Sequence, residues 1–198
     1  ELPDVGIECG RIGDGILRAA DLIAISPGID RRMPAVAAAI KRGVATVGDV
    51  ELFVRALPRA AQAHPLRPAP KIVGITGTNG KSTVTCMAGD ICAAAKLDTV
   101  IAGNIGTPVL DVLTGIENGR ATPDAFVLEL SSFQLESTAS LNASAATMLN
   151  LSEDHLDRYD GIDGYAAAKA RVFHGDGAQV LNRDDARSAA MALAGRAV

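Results

Sequence analysis

Apolar positions fall into short unbroken runs separated by longer stretches with helical spacing, and the runs end at glycine, proline or small polar residues. Asp21-Leu22-Ile23-Ala24-Ile25 reads as a buried parallel strand closed by Ser26-Pro27-Gly28. Pro34 suits the first turn of a helix over 34–40, and Gly43 suits its end. Residues 44–47 form a second short strand, and Asp49 reads as the N-cap of a helix reaching Leu57, with Glu51 in its first turn. Four of the nine prolines then crowd into 58–70, a density that removes backbone donors and predicts an extended linker. Beyond it the pattern predicts strands at 71–76, 99–102, 125–130, 145–151 and 179–181. Helices are expected at 81–96, 108–113 and 165–173, with a polar helical stretch from Ser131. Strands alternating with helices predict an α/β fold with a parallel sheet covered on both faces, and ligands at the carboxyl ends of its strands.

Composition narrows the class of protein. Of 198 residues, 48% are apolar and 21% charged, as in an ordinary globular chain. No apolar run approaches the roughly 18 residues of a membrane-spanning helix, so no membrane partner and a soluble, cytoplasmic protein are expected. A net charge of −4 without basic blocks argues against nucleic acid. Cys9, Cys86 and Cys92 are too few and too scattered for a zinc site or a disulfide framework.

The strongest chemical signal is Gly74-Ile75-Thr76-Gly77-Thr78-Asn79-Gly80-Lys81-Ser82-Thr83, between a predicted strand and a predicted helix. Glycines let backbone N–H groups turn toward phosphate oxygens, and a helix N-terminus adds partial positive charge. Lys81 would reach β- and γ-phosphates and the Ser82 hydroxyl would face Mg²⁺. Ile75 stands where the strict phosphate-loop pattern has its first glycine. Glu129 closes an apolar strand, either as a Mg²⁺ ligand or as a solvent-facing carboxylate. A third cluster, Asn150-Leu151-Ser152-Glu153-Asp154-His155-Leu156-Asp157-Arg158-Tyr159, is dense in acid–base groups, although a lone histidine in an acidic loop is by itself an ordinary surface residue. His64, His174 and Lys169 read the same bland way in isolation.

Five segments occur in one order: the 77–83 loop, Gly103-Asn104-Ile105-Gly106, the Leu128-Glu-Leu-Ser-Ser-Phe-Gln-Leu-Glu136 string, the 150–159 cluster and Ala167-Ala168-Lys169. Together they resemble the central domain of the Mur ligases, ATP-dependent amide-forming enzymes of peptidoglycan precursor synthesis. The Ser131-Ser132-Phe133-Gln134 string most resembles the branch that joins D-glutamate to UDP-N-acetylmuramoyl-L-alanine. The resemblance implies ATP at Gly77, Thr78, Asn79, Gly80, Lys81, Ser82 and Thr83. It also implies two Mg²⁺ ions, with Glu129 on one, His155 on the other and a carbamylated Lys169 nearby, and the UDP-sugar near Ser26 and Asn104.

In those terms residues 1–57 are part of an N-terminal Rossmann-like, UDP-binding domain, 58–70 a linker, and 71–198 a central ATP-binding domain incomplete at its C-terminus. Further family parts are expected before Glu1 and after Val198. The chain is thus expected to be an inactive piece of a monomeric enzyme, with the amino-acid pocket elsewhere. A sister ligase, a folate-type glutamate ligase and a nucleotide-binding module without catalysis remain as alternatives.

Overall fold

The computed structural model describes residues 5–7, 9–10, 12–62 and 68–197, in which two parallel sheets each have their own core. The first sheet is small. Strands β1 (Leu22–Ala24) and β2 (Ala45–Val47) pair in parallel, with Ile23 opposite Thr46. Helix α1 (Asp14–Arg18) precedes them, and α2 (Pro34–Lys41) makes the crossover, its proline in the first turn and Gly43 just beyond its end at φ 88°. Leu17, Ile23, Ile25, Val36 and Ala39 form this first core.

Helix α3 (Asp49–Ala61) departs from expectation at both ends. Gly48, not Asp49, is its N-cap, and Asp49 instead accepts a hydrogen bond from the Gln134 side chain at 3.0 Å. The helix also runs on through Pro58, where the linker was expected to begin. Proline leaves the carbonyl one turn earlier without a helical donor. Burial of Phe53, Leu57 and Ala60 offsets that loss, since each large apolar side chain removed from water contributes about 2 kcal/mol. Residues 63–67 of the expected linker, His64 among them, lie outside the described residues. The sequence groups α3 with the first segment, yet its apolar face belongs to the second core, where Phe53 meets Phe126 edge-on at 5.2 Å.

That second core surrounds a five-stranded parallel sheet in the order β4-β5-β3-β6-β7. Its strands are β3 (Lys71–Thr76), β4 (Thr99–Gly103), β5 (Ala125–Glu129), β6 (Ala145–Met148) and β7 (Ala178–Leu181). Helices α4 (Lys81–Ala94), α5 (Val109–Glu117), α6 (Ser132–Glu136), α7 (Gly161–Ala170) and α8 (Ala186–Ala189) complete a doubly wound α/β fold. Every residue of β5 is buried, which explains its unbroken apolar sequence up to Glu129. After β3 the chain goes out to the edge strand β4, returns to β5, then crosses β3 to reach β6. The crevice opened by that reversal lies at the carboxyl end of β3, between β5 and β6. The expected strand 145–151 stops at Met148, because the next three residues turn out of the sheet toward the loop after β3.

Glu51 fastens α3 to the second core. It is fully buried, and its carboxylate accepts from the Ala139 and Ser140 amides at 2.7 and 2.8 Å, from the Ser140 hydroxyl and from Arg55. Burial works against the charge, but these donors outweigh it and hold the carboxyl down at about 2. Because the folded pKa lies below the unfolded one, the stabilisation is whole above the usual 4.5 and is lost as pH falls toward 2. Glu51→Gln in the full-length protein should cost about 2 kcal/mol at neutral pH and flatten that acid limb. Chemical denaturation across pH 3–7 checks this; an unchanged limb in the variant would show that Glu51 is not its source.

Candidate functional site

The glycine loop is built as a bare turn between β3 and α4. Gly80 caps the helix at φ 78°, a conformation that a side chain disfavours. At Gly77 a Cβ would press on Leu149 at 3.0 Å. The loop is braced from the turn after β6. Asn150 accepts from the Asn79 amide at 2.9 Å and donates back to the Asn79 carbonyl at 3.0 Å, while its own carbonyl accepts from the Thr78 amide. The Thr78 hydroxyl donates to the Ser152 carbonyl and accepts from the Ser152 amide. Asn182 and Asp185 hold the brace in turn, through the Leu149 carbonyl and the Leu151 amide.

Two lysines converge on this loop. Lys81 folds back to donate to the Thr78 carbonyl at 2.9 Å. Lys169, on α7 and only 1% exposed, donates to the Gly77 carbonyl at 2.7 Å and to the Thr76 hydroxyl at 3.3 Å, with Tyr165 at 4.8 Å beneath it. Burial, reinforced by the Lys81 charge, pulls the Lys169 ammonium down to about 7 against the opposing influence of Asp154 and Glu129. Its neutral amine is therefore well populated near neutral pH.

Glu129 ends β5 beside them. Asn104 donates to it from its side chain at 2.7 Å, and the Asn104 amide donates to its carbonyl at 2.8 Å. This close crossing explains Gly103 (φ 104°), where a Cβ would collide with the Glu129 carbonyl oxygen. The second carboxylate oxygen, Oε2, is buried and has no hydrogen-bond partner among the described residues. Such an oxygen, with the exposed Ser82 hydroxyl at the helix start, fits a hard divalent cation. Among the described residues no three His, Cys, Asp or Glu side chains converge as a ready cage. A carboxylate oxygen and a hydroxyl are hard donors of the kind Mg²⁺ takes while it keeps most of its ligands as phosphate oxygens and water.

His155 sits at φ 51°, half-exposed, with its ring 4.7 Å from Phe133 and its Nε2 3.5 Å from the Asp154 carboxylate. Lys81, Asn104, His155 and Lys169, from four separate segments, line one pocket of about 270 Å³ with Ser132 and Phe133. Ser26 is not among its lining residues; it borders a shallow pocket of about 370 Å³ with Gly48, Asp49 and Leu110. A larger cavity of about 600 Å³ lies under α3, where Leu57, Pro58 and Ile72 line it and, among the described residues, no titratable side chain does. The bracing by Asn150, Ser152, Asn182 and Asp185 escaped the sequence reading. Asn150 and Ser152 were visible only as members of a polar cluster.

A glycine loop, a lysine and a helix start at the switch point of a parallel sheet define a phosphate-loop type α/β domain. The family model described as the Mur ligase middle domain matches residues 75–197, and the one described as the MurD-like Mur ligase N-terminal domain matches 1–48. The chain belongs to the Mur ligase family.

It is 55% identical over 202 residues to the UDP-N-acetylmuramoylalanine--D-glutamate ligase of Thiobacillus denitrificans, covering 100% of this chain and 43% of that one. The enzyme of the same name from Chromobacterium violaceum is 50% identical over 197 residues, covering 100% and 42%. The chain thus spans about two fifths of the length of these curated relatives. Among solved structures, MurF of Acinetobacter baumannii shares the fold with a TM-score of 0.51 at 22% identity, over 71% of this chain and 30% of that one. The UDP-N-acetylmuramate:L-alanyl-gamma-D-glutamyl-meso-diaminopimelate ligase of Neisseria meningitides does so with a TM-score of 0.52 at 18% identity, over 87% and 55%.

The Asn150 brace carries its own expectation. Asn150→Ala in the full-length protein removes both bonds to Asn79 and should weaken binding of an ATP analogue about tenfold, the equivalent of roughly 1.4 kcal/mol. Calorimetric titration measures it; undiminished affinity would mean that the loop holds its shape without the brace.

Proposed function

We propose that this chain forms the nucleotide-phosphate site, and one wall of the UDP-sugar site, of an ATP-dependent amide ligase that joins D-glutamate to UDP-N-acetylmuramoyl-L-alanine. The observation that supports it most is the convergence of Lys81, Asn104, His155 and Lys169 on one pocket at a bare helix N-terminus. Relatives named for that reaction, at 50–55% identity, favour D-glutamate over the amino acids of sister ligases. Such an enzyme acts as a monomer in the cytoplasm, in peptidoglycan precursor synthesis, and so serves cell shape and division.

In this reading the amides of Thr78 to Thr83 and the Lys81 ammonium hold the β- and γ-phosphates. Glu129, Ser82, His155 and a modified Lys169 would hold two Mg²⁺ ions, which when bound supply charge neutralisation on the phosphate oxygens. The carboxylate of the UDP-sugar peptide attacks the γ-phosphorus; the bond to the β–γ bridging oxygen breaks and ADP leaves. The D-glutamate amine then attacks the carbonyl carbon of the acyl phosphate, loses a proton and expels inorganic phosphate. Lys81 keeps positive charge against the phosphates throughout, and Asn104 steadies Glu129 and lines the same pocket, where the UDP-sugar would approach.

Lys169 has a particular part. As an ammonium it would repel a cation beside Glu129. A neutral amine adds to CO₂, forming the N–C bond of a carbamate and releasing a proton. The lowered pKa makes that amine available near neutrality, and the carbamate has the oxygen ligands Mg²⁺ prefers.

The test follows ADP and acid-quenched acyl phosphate in the full-length enzyme supplied with ATP, Mg²⁺ and UDP-N-acetylmuramoyl-L-alanine. Wild type should form both, and Lys169→Ala should lose turnover by about 100-fold or more, with partial rescue by added acetate. Lys169→Arg, still a cation, should stay inactive. An arginine variant as active as wild type would contradict the carbamate; absence of acyl phosphate in wild type would contradict the ligase reading itself.

A further inference from the structure

Between the first segment and the nucleotide pocket lies a joint made largely of arginines. Arg32 donates to the Asp157 carbonyl at 2.7 Å, and Arg31 donates to the Glu136 carbonyl. Arg158 comes from the other side, just after His155, and its side chain is only 10% exposed. Toward the first segment it donates to the Ile29 carbonyl at 2.8 Å and, more weakly, to the Pro27 carbonyl at 3.4 Å, and its Nε stands 3.6 Å from Asp30. Toward the pocket its guanidinium lies 4.4 Å over the Phe133 ring and 3.7 Å from the Glu136 carboxylate. His155 also meets Phe133, ring to ring at 4.7 Å, Tyr159 stacks on the same ring at 6.0 Å, and the Arg158 amide donates to the His155 carbonyl at 2.9 Å.

One guanidinium thus touches both the turn that follows Ser26 and the aromatic ring under His155. We infer that Arg158 is a positioning residue that locks the 26–30 turn onto the His155 loop, so that binding of the UDP-sugar and binding of the nucleotide are thermodynamically coupled. The identities of the two ligands rest on the function proposed above; the lock itself does not. The chemistry requires arginine. A planar fork can donate to backbone carbonyls at its edge while its face lies on a ring, whereas a lysine ammonium, a compact point charge, cannot do both. A largely buried guanidinium between Asp30 and Glu136 is also a stiff joint, because moving off either side costs it an acidic neighbour in a partly dry place. A ligand that orders the 26–30 turn therefore favours one placement of Phe133 and His155, and a ligand held by His155 favours the ordered turn. By linkage the two effects are equal.

The test titrates Mg²⁺·AMPPNP into the full-length protein with and without UDP-N-acetylmuramoyl-L-alanine, for wild type, Arg158→Lys and Arg158→Met. In wild type each ligand should raise the affinity of the other about fivefold or more. In both variants that factor should fall to about one while each ligand alone binds within about threefold of wild type. A variant that keeps the wild-type factor, or a wild type without coupling, overturns the inference. A role in stability alone would lower the melting temperature and leave the factor unmoved. Hydrogen exchange gives a second reading: the Ile29 and Met33 amides, which donate to the Ser26 and Asp30 carbonyls, should exchange faster in Arg158→Met. Unchanged exchange overturns the lock. If the UDP-sugar fails to bind wild type, the ligase reading falls, and the exchange measurement still decides whether Arg158 locks the turn.

Discussion

A loop that must offer its backbone amides to a phosphate cannot also bury them, so something else has to hold its shape. Here the loop after β3 has glycine at its critical turn, and its stiffness is supplied from outside. Asn150 clasps Asn79 from two directions, and Lys169 and Lys81 donate to the successive carbonyls of Gly77 and Thr78. The rest of the central architecture follows from where those supports must stand. Strand β6 has to end beside β3 so that its following turn can reach the loop, and α7 has to return over the sheet to bury Lys169. Strand β5 must flank the other side so that Glu129 arrives at the same height. The strand order that produces the switch-point crevice is the one that meets all three requirements.

The two lysines also set the electrostatics. Burial first, and then the nearby Lys81 charge, make the ammonium form of Lys169 costly. Glu129 contributes the opposing charge while leaving one oxygen uncommitted. A site with the Lys81 charge, a Lys169 amine that burial tends to neutralise and a carboxylate oxygen without a partner suits anionic phosphate and a divalent metal together. It is a poor resting place for either alone.

Much of this was legible in the chain. Strand β3 has the bounds that its apolar run predicts, and the glycine loop, Glu129, His155 and Lys169 could each be named from local chemistry or from resemblance. What escaped was set by contacts between distant segments. Pro58 reads locally as a helix stop, but α3 passes through it because Leu57 and Ala60 are buried against a sheet that lies later in the sequence. Asn150 looks like one more polar residue after a strand, because its partner is 71 positions away. Periodicity reports which face of an element is buried; it does not report against what.

Recognition of a nucleotide's terminal phosphates by the loop and Lys81 is the proposal on which the rest depends, and phosphate count measures it most directly. Calorimetric titration of the full-length protein with AMP, ADP and AMPPNP in Mg²⁺ should show affinity rising about tenfold or more with each added phosphate. Lys81→Ala should flatten that series while leaving AMP nearly unaffected. Equal affinity for all three nucleotides, or a series that Lys81→Ala does not change, would contradict the account.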